Sequence, residues 1–373
     1  MPVNKKAVKE LIYIVPLMIF SYSPFVHNVM SDLLVRVPLM LCSIIFLLGI
    51  GWEKNNNSDL MIPTILLIFF TCLLTNYGNI NGIQSSCGLF LILIFATALN
   101  YSLKDYYFYL QFKKIYCLFM YLLGILSIAS LVFYYLYGHH DLFNIRSNYG
   151  AIEASPFGFI LEKDIIILNI VRSFNFFIEP VYAGYFFYIS YLIVNKTETK
   201  KITFEKLILI IATLITYSYA ILALMFIDFI DHIRKKYGAR NAFIIFMLIF
   251  TTVIFNIDAI FSFSSLGDRL DRASYFISAI KNTGIENILF GSGFEANNGT
   301  NRSFSMGFLI NIYELGIIPF SLICVILFNL IQGNKKSLVL TIVAFLIFDP
   351  VRMPLFWTCL LLYSYSENLN INK

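Results

Sequence analysis

Three short segments hold the residues best suited to chemistry. In RSFNFFIEPVYAG, Arg172 precedes Glu179, Pro180 and Gly184. Proline fits the first turn of a helix, so Glu179 stands where a helix begins. A carboxylate at the edge of an apolar stretch is costly and marks function by default; the plainer alternative is a negative charge set against the positive end of the helix dipole. In LGDRLDR, Arg269 and Arg272 are three residues apart and share one helix face. With Asp268 and Asp271 close by, they either grip a diphosphate or are neutralised by their neighbours. In DPVRMP, Arg352 occupies a polar turn between two short apolar runs, where it either faces the same ligand or snorkels to a membrane interface. A guanidinium stays charged in any pocket, and its planar fork of donors fits phosphate oxygens. The chemistry on offer is the holding of a phosphorylated or acidic ligand.

The remaining polar features are weaker. FGSGF, with Gly291 and Gly293, lacks the strand and helix context of a nucleotide-binding loop, and reads as a tight turn before an apolar stretch. The histidines are His27, His139, His140 and His232. His139 and His140 stand beside Asp141, where a base or a ligand contact is conceivable, but no second carboxylate or cysteine lies near enough in sequence to imply a metal site. The six cysteines lie in or beside apolar stretches without a CxxC pair, and read as buried thiols.

The elements that must position these residues follow from composition. Of 373 residues 59% are apolar and 13% charged, with mean hydropathy +0.76; soluble domains carry about 25% charged residues. Apolar residues on this scale fill ten or more spans of about 20 residues. A soluble enzyme is excluded, and so is a nucleic-acid-binding domain, since the +5 charge is spread along the chain. The long apolar blocks exclude a membrane β-barrel. An all-α polytopic membrane protein of about 12 transmembrane helices is expected, forming a single domain over 1–373. Spans are predicted near 10–26, 34–52, 60–76, 84–100, 111–137, 176–194, 241–259, 305–331, 337–349 and 352–365. The stretch 205–233 is too long for one span, and its soft break at Thr216–Tyr219 predicts two short helices joined by a tight turn. The basic head before the first apolar run, with no small-residue cleavage site, predicts an uncleaved first span.

Basic residues set the orientation. With both termini cytoplasmic, the inner segments hold 16 Lys and 2 Arg, and the outer ones 7 Arg and 2 Lys. The outer arginines are Arg36, Arg146, Arg172, Arg269, Arg272, Arg302 and Arg352. Topology needs only positive charge, so the preference for guanidinium points to an external anion site; codon usage and loop salt bridges with Asp268, Asp271 and Glu153 are the alternative. Two outer segments are long, 138–175 and 260–304, and both keep apolar and aromatic residues, unlike disordered linkers. In the second, Leu270, Ala273, Phe276, Ile277 and Ile280 share a helical face, which predicts an amphipathic helix over the membrane domain.

From LGDRLDRASYFISAI through FGSGF to FSMGFLINIYELGIIPF, the chain resembles the O-antigen polymerase and ligase superfamily (Wzy and its relatives). The resemblance rests on Arg272 or Arg269 opening a loop helix, the Gly291–Gly293 turn, and then Glu314, Gly316, Ile317 and Ile318. RSFNFFIEPVYAG resembles a second hallmark, Arg–aromatic–Glu–Pro, in Arg172, Phe177, Glu179 and Pro180. The resemblance covers 170–330 closely. The ligase branch places a catalytic His where this chain reads Ser305–Leu309 and has a small polar residue in place of Glu179, so the departures favour a polymerase.

The resemblance implies a GT-C-like fold and a glycosyltransferase that joins undecaprenyl-pyrophosphate-linked oligosaccharide repeat units, donor and acceptor alike. The reaction would run at the outer face of the bacterial cytoplasmic membrane without cofactor, metal or nucleotide. Arg172, Glu179 and Arg272 are the expected catalytic residues. Arg269, Arg146, Arg302, Arg352, His139 and His140 are expected to bind substrate. The expected partners are the lipid bilayer and a chain-length regulator protein, with no nucleic acid. The alternatives are the ligase and a flippase of the same lipid-linked unit, the latter disfavoured because no paired helical repeat is found.

Overall fold

The computed structural model describes residues 58–138, 144–147, 150–155, 158–165, 168–175, 177, 179–197, 203–255, 264–294, 306–331 and 334–371. The spans expected at 10–26 and 34–52 lie outside them, as do His139, His140 and Arg302. The described residues are 84% helical.

Polar breaks start the helices where side-chain oxygens can meet the unpaired backbone N–H groups of a first turn. After α1 (Ser58–Thr75), Asn79 accepts from the Gly82 N–H and opens α2 (Ile80–Ser102). Asp105 accepts from Tyr107 and Phe108 and opens α3 (Tyr106–Tyr137). The helix α4 (Pro180–Thr197) begins on its proline. Thr203 caps α5 (Phe204–Leu214), and a break at 215–218 separates it from α6 (Tyr219–Tyr237), so the stretch 205–233 is two short helices. There follow α7 (Ala239–Phe255), α8 (Ser264–Lys281) and α9 (Ile285–Phe290). The last four are α10 (Gly307–Leu315), α11 (Ile317–Leu330), α12 (Lys335–Ile347) and α13 (Pro354–Ile371).

Two expectations need correction. The stretch 305–331 is not one helix: it breaks at Gly316, whose φ of +86° ends α10 and starts α11. Glycine after Glu314-Leu315 is a helix C-terminal signal, outweighed in the sequence reading by the continuous apolar run. The 14 residues of α11 then extend only about 21 Å at 1.5 Å per residue. The second concerns the first long outer segment, expected as an ordered loop of an all-α chain, whose described residues 144–175 are strands. It forms a four-stranded antiparallel meander in the order β1 (Asn144–Ser147), β2 (Gly150–Ser155), β3 (Gly158–Ile165) and β4 (Leu168–Asn175). Pairing ends at Ser147–Gly150, Ser155–Gly158 and Ile165–Leu168.

In α8, Phe276 is buried as the amphipathic reading requires, but Ile277 is 55% exposed. Two helices among the described residues, α2 and α3, are long and apolar enough to cross a membrane. The core is built on α13 and α4, apolar nearly all round, as helices enclosed by others are: Trp357, Cys359, Leu360, Tyr363, Tyr185, Phe187 and Ile189 are fully buried. Large apolar side chains elsewhere face outward, among them Leu67 and Phe70 on α1, Leu118 and Leu122 on α3, and Val339 and Ile342 on α12. Exposed apolar surface of this extent is what a hydrocarbon environment accepts and water does not.

The helix junctions gather into two groups. At one end, the Ser173 N–H donates to the Ile215 carbonyl at 3.3 Å, the Phe294 N–H donates to Asn76 Oδ1 at 2.8 Å, and Arg352 pairs with Glu314. At the other end, Lys196 pairs with Glu367 at 2.7 Å, Lys336 with Asp228 at 2.9 Å, Tyr188 donates to Asp228, and Tyr365 reaches the Lys104 carbonyl at 3.2 Å.

Candidate functional site

The strand β4 carries Arg172, half-buried and opposite Leu161 in the sheet register. Its neighbour Ser173 anchors the strand to the bundle, donating through Oγ to the Ser127 carbonyl at 2.8 Å as well as through its N–H to Ile215. The chain then turns into α4 across Phe177, buried against Phe186 and Phe187 with ring centres 5.6 and 5.8 Å apart. Glu179, half-buried, immediately precedes Pro180, and its carbonyl accepts from the Tyr182 and Ala183 N–H groups at 3.2 and 3.3 Å. Local sequence therefore sets the Glu179 backbone at a helix start. Gly184 lets α4 approach the α5–α6 break: a Cβ there would stand 2.6 Å from Thr216 Oγ1.

The second outer segment reaches the same end by another route. Arg269 and Arg272 lie within α8, which packs against α10; their side chains lie outside the described residues. The helix α9 stops at Gly291, where φ is +96°. Ser292 and Gly293 then donate through their backbones to the Tyr313 and Glu314 carbonyls at 2.9 and 3.1 Å. Gly291 and Gly316 lie back to back, so a Cβ on either would run into the backbone of the other's segment. Both adopt the left-handed conformation that glycine permits. The FGSGF turn is thus a close backbone fit onto the end of α10.

Beside this fit, Arg352 joins three segments. It pairs with Glu314, which is 5% exposed; its Nε lies 3.2 Å from Asp349 Oδ2; and its guanidinium carbon is 4.5 Å from the Phe294 ring centre. Asn311 Nδ2 donates to Asp349 Oδ1 at 2.8 Å. Phe294 is held by its N–H to Asn76, a buried residue whose Nδ2 donates to the Cys72 carbonyl at 2.7 Å. The turn of Arg352 also touches the start of α4: the rings of Tyr182 and Phe348 are 4.7 Å apart. Glu179, one helical turn before Tyr182, therefore lies at the same end of the bundle as Glu314, Asp349 and Arg352.

Of the residues singled out from sequence, the structure gathers the backbones of Arg172 and Glu179 on one route and Glu314, Gly291, Gly293 and Arg352 on the other. Arg146 lies in β1 opposite Ala151, with its side chain outside the described residues. Sequence reasoning missed Asn76 and Asn311, and it read Asp349 only as part of a turn. Polar residues flanked by apolar runs were the available signal, but nothing local names their distant partners. No family model, curated protein or solved structure matches the chain.

Proposed function

We propose that this chain polymerises undecaprenyl-pyrophosphate-linked oligosaccharide repeat units into O-antigen or a similar surface polysaccharide. In this reading it is a multi-pass protein of the bacterial cytoplasmic membrane with both termini inside. The end of the bundle bearing Glu179, Glu314 and Arg352 faces the periplasm. The observation that supports it is the placing of the Arg–aromatic–Glu–Pro segment at the same end as the Gly-Ser-Gly turn and the Glu314–Gly316 helix end, linked through the Tyr182–Phe348 contact beside the turn of Arg352. The outer-face excess of arginine over lysine agrees with a diphosphate substrate.

In the reaction, a sugar hydroxyl of the acceptor unit attacks the anomeric carbon of the growing chain. The new C–O bond forms as the bond to the lipid diphosphate breaks. The hydroxyl proton passes to a base, for which Glu179 is the first candidate. The bonding electrons leave on the diphosphate, whose charge Arg172 and Arg272 would stabilise, with Arg269, Arg146 and Arg302 as further contacts. No metal or nucleotide is needed for this sequence of steps, and a chain-length regulator is the protein partner proposed.

The test is a gel of surface glycan from a strain lacking the gene, complemented by wild type, Arg172→Ala or Arg272→Ala. The expected deletion phenotype is a ladder collapsed to core carrying a single repeat unit, restored by wild type and by neither variant at equal protein level. Bare core with accumulating lipid-linked units would instead identify a ligase or a flippase. Normal chain length in both variants would remove the arginines from the mechanism.

A further inference from the structure

Arg352 is matched by two carboxylates, Glu314 and Asp349, and lies over the face of Phe294. One cation between two anions surrounds an incoming diphosphate with net negative charge, so this guanidinium is poorly suited to grip phosphate directly. Its contacts run to structural parts instead. Through Glu314 it holds the end of α10, and through Phe294 it holds the Gly291–Phe294 turn that follows α9. Asn76 grips the same turn through the Phe294 N–H at 2.8 Å. Asn311 and the Val351 N–H, at 2.8 and 3.3 Å, orient Asp349. The helix α8, with Arg269 and Arg272, precedes α9 directly and packs on α10.

We infer that Arg352 is a positioning residue: it clamps the Gly291–Phe294 turn to the end of α10 and thereby fixes where α8 presents its arginines to the donor diphosphate. The clamp requires arginine, because a planar fork can meet two carboxylates while its face rests on an aromatic ring, and a lysine ammonium cannot. This inference rests on the polymerase reading and on Arg272 as a donor contact. Arg172 and Glu179 are carried by β4 and the start of α4, outside the clamp, so its loss should impair the donor contact and the leaving-group stabilisation assigned to Arg272 while leaving the Arg172–Glu179 route in place.

The experiment uses the purified full chain in nanodiscs, with lipid-linked repeat units extracted from the deletion strain as donor. Arg352→Lys, Arg352→Ala, Glu314→Gln and the Arg352→Lys/Glu314→Gln double variant are compared per folded molecule. Expected is a fall in donor kcat/KM of about 10- to 100-fold, the scale of a misplaced contact, with KM raised and kcat lowered together. Glu314→Gln and Arg352→Lys should act alike, and the double variant should be no worse than the worse single, because one interaction is lost once. A lowered or unchanged KM in Glu314→Gln beside a raised KM in Arg352→Ala would make Arg352 a direct donor ligand and overturn the clamp. Unchanged KM and kcat in every folded variant would reduce it to a purely structural contact. If Arg352→Ala does not accumulate, Arg352→Lys and Glu314→Gln carry the test. Arg272→Ala run alongside separates the two failures. Loss of polymer there with normal kinetics in the clamp variants defeats only the clamp, normal polymer there removes Arg272 as the donor contact on which the clamp depends, and a deletion strain that keeps its ladder defeats the polymerase reading.

Discussion

The two ends of the helical bundle manage charge differently. At the end with the Lys196–Glu367 and Lys336–Asp228 pairs, two cations meet two carboxylates, and Tyr188 and Tyr363 add hydroxyl donors. The pairs join α4 to α13 and α12 to α6, helix to helix, at partly exposed positions. At the other end, which also carries Arg172 and Glu179, Arg352 meets two carboxylates, beside two glycines packed back to back, and what it joins are turns and helix ends. The balanced end reads as a structural tie. The Arg352 cluster, with two carboxylates to one cation, fixes loops over the bundle where α10 and the 349–353 turn meet. Removing a partner should therefore cost more at the second end than at the first.

The largest effect expected is at Gly316. Gly316→Ala places a Cβ against the Gly291 backbone in a left-handed conformation, and strain of about 1–3 kcal/mol adds to the collision. Loss of folded protein in detergent is the expected result; a normal melting temperature would show that the two turns do not fit together as described. Next comes Glu314→Leu, which removes one of the two carboxylates that Arg352 meets. Breaking a buried pair from one side costs about 3–5 kcal/mol, and the 31% exposure of Arg352 brings the expectation down to about 2–3 kcal/mol.

The balanced end should respond less. With Lys336 37% and Asp228 31% exposed, Lys336→Met should cost about 1 kcal/mol or less. A melting loss as large as that of Glu314→Leu would erase the contrast between the ends. The smallest effect is one of pH. Burial by itself would raise the Glu367 carboxyl, but hydrogen bonds from Lys196 and Tyr363 outweigh it and hold the group below the usual carboxylate value. A lowered folded-state value stabilises the fold above the unfolded carboxylate range, and that stability is lost as pH falls through the lowered value. The melting gap between wild type and Glu367→Gln should be widest near neutral pH and close on acidification. A gap independent of pH would show that the carboxylate is not the stabilising form.

Much of this architecture was legible in the chain. Apolar runs and their polar breaks located the described helices of the bundle, because hydrophobic periodicity is a local signal. The break inside 205–233 was readable from four residues. The break at Gly316 was not, since Ile317, Ile318 and the residues after them continue the apolar run that Leu315 ends. The β-meander went unread because apolar content alone does not separate strand from helix in short segments.

By itself the sequence determined the helical class, the apolar surface and the clustering of arginine in the segments assigned to one side. The tertiary structure alone decided which polar groups meet. Asn76 and Phe294 lie 218 residues apart, and Glu314 and Arg352 lie 38 apart. Spacing along a chain fixes neighbours on one helix face. Neighbours across helices depend on how the cores of α4 and α13 pack, and that packing turned an arginine in a polar turn into the centre of a three-segment clamp.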